Sequence, residues 1–148
     1  MSEETKYEGQ FAVEGGNFRN AGQVSSRIKN ILKDLGCNSD MVRRAAIVTY
    51  EAEINIVSYA KKGIIHLQAG PGCIRIEISD EGPGIPDIEL AMQEGYSTAS
   101  PMVREMGFGA GMGLANMKRF SDNFIITSKV NEGTQVVMEI DHVRQMSG

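Results

Sequence analysis

Two polar side chains, Glu51 and Asn55, stand in an otherwise largely apolar stretch of the sequence. They are four residues apart, so in a helix they lie on the same face. A buried carboxylate is costly unless it is paired or takes part in chemistry. A carboxylate beside an amide oxygen suits a hard cation such as Mg²⁺, which prefers oxygen ligands. Alternatively, Glu51 is exposed to solvent or pairs with Arg43 or Arg44.

A second candidate site is the segment Asp80-Glu81-Gly82-Pro83-Gly84-Ile85. Asp80 continues the alternation of Ile74, Ile76 and Ile78, so its carboxylate is predicted on the buried face of a strand. A carboxylate at a strand end can accept a hydrogen bond from the exocyclic amine of a purine, and the glycines allow backbone to approach a flat ring. The same residues also form a common tight turn.

A third segment, Gly107-Phe108-Gly109-Ala110-Gly111-Met112-Gly113-Leu114, has alternate glycines at the start of a predicted helix. Such glycines can form a nest of backbone N–H groups that binds phosphate together with the helix N-terminus. The segment is not a Walker A loop, because no Gly-Lys-Ser/Thr follows. It is not a Rossmann fingerprint, because Met112 stands where the third glycine is needed. The alternative is a flexible hinge.

Hydrophobic periodicity predicts the elements that position these segments. Strands are predicted at residues 10–13, 64–69, 73–79, 124–130 and 134–140. Helices are predicted at residues 21–35, 39–60 and 88–93, and from about residues 111–114 to 120. Asn17 is the predicted N-cap of the first helix, and Asn38 or Ser39 that of the second. Hairpin-joined strands predict an α/β two-layer sandwich, with a mixed, mainly antiparallel sheet and the helices on one face.

The three segments resemble, in order and spacing, the N box, G1 box and G2 box of the GHKL ATPases, which include sensor histidine kinases, gyrase-type ATPases and Hsp90-like chaperones. The N box would be Glu51-Ala52-Glu53-Ile54-Asn55, and Gly133-Thr134 resembles the family's Gly-Thr near the adenine. The resemblance covers roughly residues 10–141. It implies the GHKL fold, with ATP and Mg²⁺ as cofactors.

The resemblance also implies a role for each matching residue. Asn55 would be the magnesium ligand, Asp80 would bind adenine with support from Thr134, and Glu51 would be the base for a substrate hydroxyl. Residues 94–110 would form an ATP lid. The remaining nucleotide-binding positions would be Gly82 and Gly84 at the base and Gly107, Gly109, Gly111, Met112, Gly113 and Leu114 at the phosphates.

Within that superfamily, the chain looks most like the bacterial anti-sigma factor and switch-kinase family. This implies a serine/threonine protein kinase of a partner-switching module, acting on an STAS-domain protein. The alternative is an ATP-gated binding module that sequesters a sigma factor or other regulator without kinase activity. The family often dimerises through its sheet or N-terminal region, so a homodimer is compatible with the resemblance.

Length and composition are consistent with one domain over residues 1–148 and a core at about residues 10–141. A net charge of -4 gives no reason to expect nucleic acid or an anionic membrane as a partner. No apolar run approaches the roughly 20 residues that span a bilayer, and the acidic N-terminus is not a secretory signal. Cys37 and Cys73 lack metal-ligand spacing. We expect a cytoplasmic protein with two incidental thiols.

Overall fold

One antiparallel sheet organises the protein. The computed structural model describes residues 5–93 and 113–141. Within these residues five strands pair in the order β1-β2-β3-β5-β4, and every pairing is antiparallel. The strands are β1 (Tyr7–Glu14), β2 (Lys62–Gly70), β3 (Cys73–Glu81), β4 (Asn123–Lys129) and β5 (Gly133–Asp141).

Four α-helices accompany these strands in the described residues. They are α1 (Gln23–Asp34), α2 (Ser39–Tyr59), α3 (Ile88–Ala91) and α4 (Gly113–Phe120), and a 3-10 turn (Phe18–Asn20) precedes α1. The Asn38 side chain caps α2 by accepting a hydrogen bond from the Met41 N–H at 2.8 Å, as its sequence position predicts. None of the helices in the described ranges combines the length and hydropathy needed to cross a bilayer.

The α/β two-layer sandwich predicted from the sequence is confirmed, with a sheet that is antiparallel throughout its described pairings. Alternate residues of β2, β3 and β5 point under the helices and are fully or almost fully buried, including Ile65, Ile76 and Met138. The opposite face is mainly polar, although it also exposes two isoleucines. On this face His66 Nε2 lies 2.8 Å from Glu8 Oε2 on the neighbouring strand. The apolar alternation therefore decides which face of the sheet the helices cover.

The start of α1 differs from the prediction. Asn17 makes no side-chain cap, and α1 begins later, after Gly22 at φ 100°. The reason is tertiary: the Glu53 carboxylate on α2 accepts hydrogen bonds from the first backbone N–H groups of α1, at Val24 and Ser25. A cap supplied by another helix leaves no local signal in the sequence.

The α4 helix packs along α2 and is anchored at its carboxyl end by Arg44, whose side chain is fully buried. The guanidinium donates to Asp40 at 2.9 Å, to Asp122 at 3.0 Å and to the Asp141 carbonyl at 3.2 Å. Asp122 lies two residues after the end of α4, and Asp141 ends β5. One arginine thus joins α2, the end of α4 and the end of the sheet.

Candidate functional site

A polar stripe runs along one side of α2. Glu51, Asn55 and Ser58 are separated by four and three residues, so all three lie on one helical face. The Ser58 hydroxyl is buried, and no described residue hydrogen-bonds to it. Buried hydroxyls in folded proteins are normally satisfied. An unsatisfied one beside a half-buried carboxylate and amide indicates a place for a polar ligand.

The first turn of α4 faces this stripe. Asn116 Nδ2 donates a hydrogen bond of 2.7 Å to Glu51 Oε2. Gly113 lies against Asn55, where an added Cβ would come within 3.0 Å of the amide oxygen. Glu51 has no contact with Arg43 or Arg44, the alternative partners considered from the sequence, because both bind Asp40 instead.

Asp80 lies near the end of β3, on the side of the sheet that the helices cover. Its Oδ1 accepts a hydrogen bond of 3.1 Å from the Thr134 N–H, and no described residue bonds Oδ2. Burial raises the pKa of the Asp80 carboxyl above its ordinary value, although the Thr134 N–H acts in the opposite direction. A carboxylate held by one oxygen can accept a ligand donor with the other.

Ser128 ties the two loops of this region together. Its hydroxyl accepts from the Ile85 N–H at 2.7 Å and donates to the Gly133 carbonyl at 3.0 Å. The Thr134 hydroxyl lies 2.8 Å from the same oxygen. Since the single Ser128 proton is used on Gly133, Thr134 is the donor in this last bond. Ser128 therefore fixes the orientation of the Thr134 hydroxyl.

The glycines after β3 and at the start of β5 permit close packing at the end of the sheet that carries Asp80. Gly82 lies against Ala60 at the end of α2, and Gly84 against the Lys129 carbonyl. Gly133 has φ 146°, and an added Cβ would stand 2.0 Å from the Asp80 carbonyl oxygen. Only glycine combines this backbone angle with this approach.

The structure thus gathers two groups of predicted residues. Glu51, Asn55 and Gly113 meet between α2 and α4, while Asp80, Gly82, Gly84 and Thr134 meet at the end of the sheet. Leu114 lies in the first turn of α4 and packs against the core. Four predicted positions, Gly107, Gly109, Gly111 and Met112, lie outside the described residues, as does the whole of the predicted lid at residues 94–110.

Residues 42–144 match the family model described as histidine kinase-, DNA gyrase B-, and HSP90-like ATPase. The chain belongs to this family. The resemblance inferred from the three boxes is therefore confirmed, and the GHKL ATPase domain implies ATP as the nucleotide. Two polar atoms that no described residue bonds, the Ser58 hydroxyl and Asp80 Oδ2, are compatible with a bound nucleotide. So is the space beside Asn55 that the missing side chain of Gly113 leaves open.

Two relatives and one solved structure extend the comparison. The chain is 37% identical over 114 residues to the serine/threonine-protein kinase RsbT of Bacillus subtilis (strain 168), covering 73% of this chain and 78% of that protein. It is 36% identical over 105 residues to the anti-sigma F factor of Geobacillus stearothermophilus, covering 68% and 62%. The nucleotide-free catalytic domain of histidine kinase ThkA shares the fold at TM-score 0.50 and 15% identity, covering 92% of this chain and 96% of that one.

Three residues that surround this candidate site were not predicted from the sequence. Ser58 could have been found, since it lies three residues after Asn55 on the same helical face. Asn116 also left a weak signal, because asparagine is a poor helix former and stands inside a short helix. Ser128 left none: its partners come from two other segments of the chain.

Proposed function

We propose that this GHKL protein is an ATP-dependent serine/threonine protein kinase of a bacterial partner-switching module, acting on an STAS-domain protein. The observation that carries the proposal is Glu51, one turn before Asn55 on α2. Its Oε2 is held by Asn116, and its Oε1 has no hydrogen-bond partner among the described residues. The Bacillus subtilis relative, a serine/threonine-protein kinase, also supports it.

Each end of the site has a role in this proposal. Bound ATP supplies the phosphoryl group, and Mg²⁺ neutralises charge on its phosphates. Asp80 accepts the exocyclic amine of adenine, and Thr134 fixes the carboxylate for this contact. Asn55 is the magnesium ligand, and the backbone at Gly113 and Leu114 binds phosphate at the start of α4.

Glu51 acts as the general base. A carboxylate within hydrogen-bond reach of an attacking hydroxyl can receive its proton as the new bond to phosphorus forms. Oε1 is the atom assigned this task, since Oε2 is occupied by Asn116. The same glutamate could activate water, so the decisive assay must follow phosphate onto a protein rather than release of phosphate alone.

The test is phosphotransfer from γ-labelled ATP, with Mg²⁺, to a purified STAS-domain protein from the same source. The parent protein should label it, whereas Glu51→Gln should not, although it should still bind ATP. Glu14→Gln is the matched control, because Glu14 is exposed on β1. Phosphotransfer by Glu51→Gln at the parent rate would contradict the proposal.

Nucleotide binding can be tested separately by following thermal unfolding. ATP at a hundred times its Kd should stabilise the folded protein by about 2.7 kcal/mol. The parent should shift strongly when Mg²⁺ is present, and Asp80→Asn should shift little because its side chain presents a changed hydrogen-bonding group to the base. An equal shift in Tm in both proteins would contradict the role of Asp80 in binding adenine.

A second candidate function is an ATP-gated binding module that holds a sigma factor without phosphorylating a partner. The relative named anti-sigma F factor favours it. In this case a non-hydrolysable ATP analogue would support stable co-elution with a sigma factor, and Glu51→Gln would bind as well as the parent. Labelling of an STAS-domain protein that depends on Glu51 would favour the kinase.

A further inference from the structure

We propose that Asn116 is a positioning residue for Glu51. It holds one carboxylate oxygen in place, and the other oxygen stays free to accept a proton. This inference rests on the function proposed above, in which Glu51 is the general base. It adds a residue on a different helix that acts on the reaction only through Glu51.

The contact between the two side chains is short and has one orientation. Asn116 Nδ2 lies 2.7 Å from Glu51 Oε2. An ionised carboxylate only accepts hydrogen bonds, so the NH₂ group of the amide must face it. Hydrogen bonds to a charged group are shorter and stronger than neutral ones, especially in half-buried surroundings. The bond therefore restricts rotation of the Glu51 carboxylate.

The helix that carries Asn116 is itself fixed against α2 along its length. Gly113 lies against Asn55 at the amino end of α4. Met117, next to Asn116, is 1% exposed. At the carboxyl end, the Arg43 guanidinium lies 5.7 Å from the centre of the Phe120 ring. The helix backbone that carries Asn116 is thus held by packing on both sides of this residue, so the Asn116 amide projects from a fixed position toward Glu51.

The chemistry of asparagine suits this task better than the alternatives. A lysine or arginine at this position would form an ion pair with the Glu51 carboxylate and make it a weaker base, and an aspartate would repel it. An aliphatic residue would leave the carboxylate free to rotate. Asparagine is an unfavourable choice for helix stability alone. The side chain is therefore explained by its partner rather than by the helix.

The contact can be tested in the nucleotide-free protein by NMR. In a ¹⁵N-labelled sample, the Asn116 side-chain NH₂ pair is identified by its loss in Asn116→Ala. Its resonances should move in Glu51→Gln, which changes the acceptor, and should stay in place in Glu14→Gln. An NH₂ pair that does not respond to Glu51→Gln would overturn the inference without reference to activity.

The kinetic test follows phosphotransfer to the STAS-domain protein with the full chain. Asn116→Ala should lower kcat by about 10- to 100-fold through loss of orientation, with the KM for ATP unchanged. Asn116→Asp, which keeps the shape but replaces the donor by a second carboxylate, should be no faster than Asn116→Ala. Lys118→Ala, at an exposed position of the same helix, should keep the parent rate.

The outcomes separate this inference from the function on which it rests. If Glu51→Gln is inactive and Asn116→Ala retains full kcat, Glu51 is the base and the positioning role is wrong. If Glu51→Gln transfers phosphate normally, the proposed function itself fails. A thermal shift with ATP in Asn116→Ala equal to that of the parent would show that the variant is folded and binds nucleotide, so that a lowered kcat supports the positioning role.

Discussion

Glu53 Oε1 on α2 accepts a hydrogen bond of 3.1 Å from the backbone N–H of Ser25, and so joins the middle of one helix to the first turn of another. Its second oxygen accepts from the Val24 N–H at 3.2 Å. The carboxylate is 2% exposed. Because α1 begins after Gly22 and has no side-chain cap of its own, Glu53 is the group that satisfies its leading amides.

Substitution of Glu53 should destabilise the fold. In Glu53→Gln one of the two acceptors becomes an NH₂ group that faces a backbone N–H, which should lower the free energy of unfolding by about 2 kcal/mol. Urea denaturation of the parent and the variant measures this. Glu14→Gln, the same change at an exposed position, should be nearly neutral. Equal losses in the two variants would contradict the capping role.

Two adjacent arginines should differ sharply in their effect on stability. The Arg44 side chain is fully buried and bonded to three segments, whereas that of Arg43 is 57% exposed. Arg44→Ala leaves Asp122 without its buried partner and should cost about 3–5 kcal/mol. Arg43→Ala should cost no more than about 1 kcal/mol. Denaturant titration compares them, and similar losses would refute the anchoring role of Arg44.

Asp80 should make the ligand-free protein less stable at neutral pH. Burial raises its pKa in the folded state. The stability that the protonated Asp80 carboxyl contributes is therefore fully present below pH 3.8, its pKa in the unfolded chain. This stability is lost as the pH rises through the higher pKa of the folded state. Asp80→Asn has no carboxyl to ionise, and its amide oxygen can still accept from Thr134. The ligand-free variant should thus be more stable than the parent at neutral pH.

Thermal melts of the ligand-free parent and of Asp80→Asn, measured from acidic to neutral pH, test which of the two proteins is more stable. The difference in Tm should favour the variant at neutral pH and shrink as the pH falls toward 3.8. Other acidic groups titrate equally in both proteins and cancel in the comparison. A parent that is more stable than the variant at neutral pH would show that the ionised carboxylate is well compensated by its surroundings.

Both thiols should be unreactive in the folded protein. Burial, together with the Asp141 carboxylate that accepts a hydrogen bond from the thiol, raises the pKa of Cys73 to about 12. Burial also raises the pKa of Cys37. Since the thiolate is the nucleophile, an aromatic disulfide reagent at mildly alkaline pH should react slowly with native protein and rapidly in guanidinium. Fast reaction of the native protein would contradict the assignment of incidental thiols.

Periodicity in the sequence was sufficient for most of the fold. The Gly36 end of α1, the Asn38 cap of α2 and the alternation of β3 are local patterns, and each appears in the structure at or near its predicted position. The start of α1 was wrong because its cap comes from Glu53, 28 residues away from Ser25. Local patterns predict elements well, whereas contacts across the chain decide where some of them begin.

In the candidate site, too, local patterns predict some features, whereas others depend on contacts between distant parts of the chain. The Glu51 and Asn55 face follows from helical spacing, and the buried side of Asp80 follows from strand alternation. The bond from Asn116 to Glu51 could not be predicted, because it depends on how α4 docks on α2. The Ser128 bonds depend likewise on the pairing of β4 with β5 and on the approach of the loop after β3.

The position of β5 has a consequence for synthesis on the ribosome. β5 is the last of the five described strands in the chain, yet it lies between β3 and β4. A nascent chain that ends before residue 133 lacks the strand that joins β4 to the sheet, and it has no Thr134 to hold Asp80. In the function proposed above, recognition of the base therefore requires that β5 has been translated, and ribosome-bound chains that stop before residue 133 should not be retained on immobilised ATP.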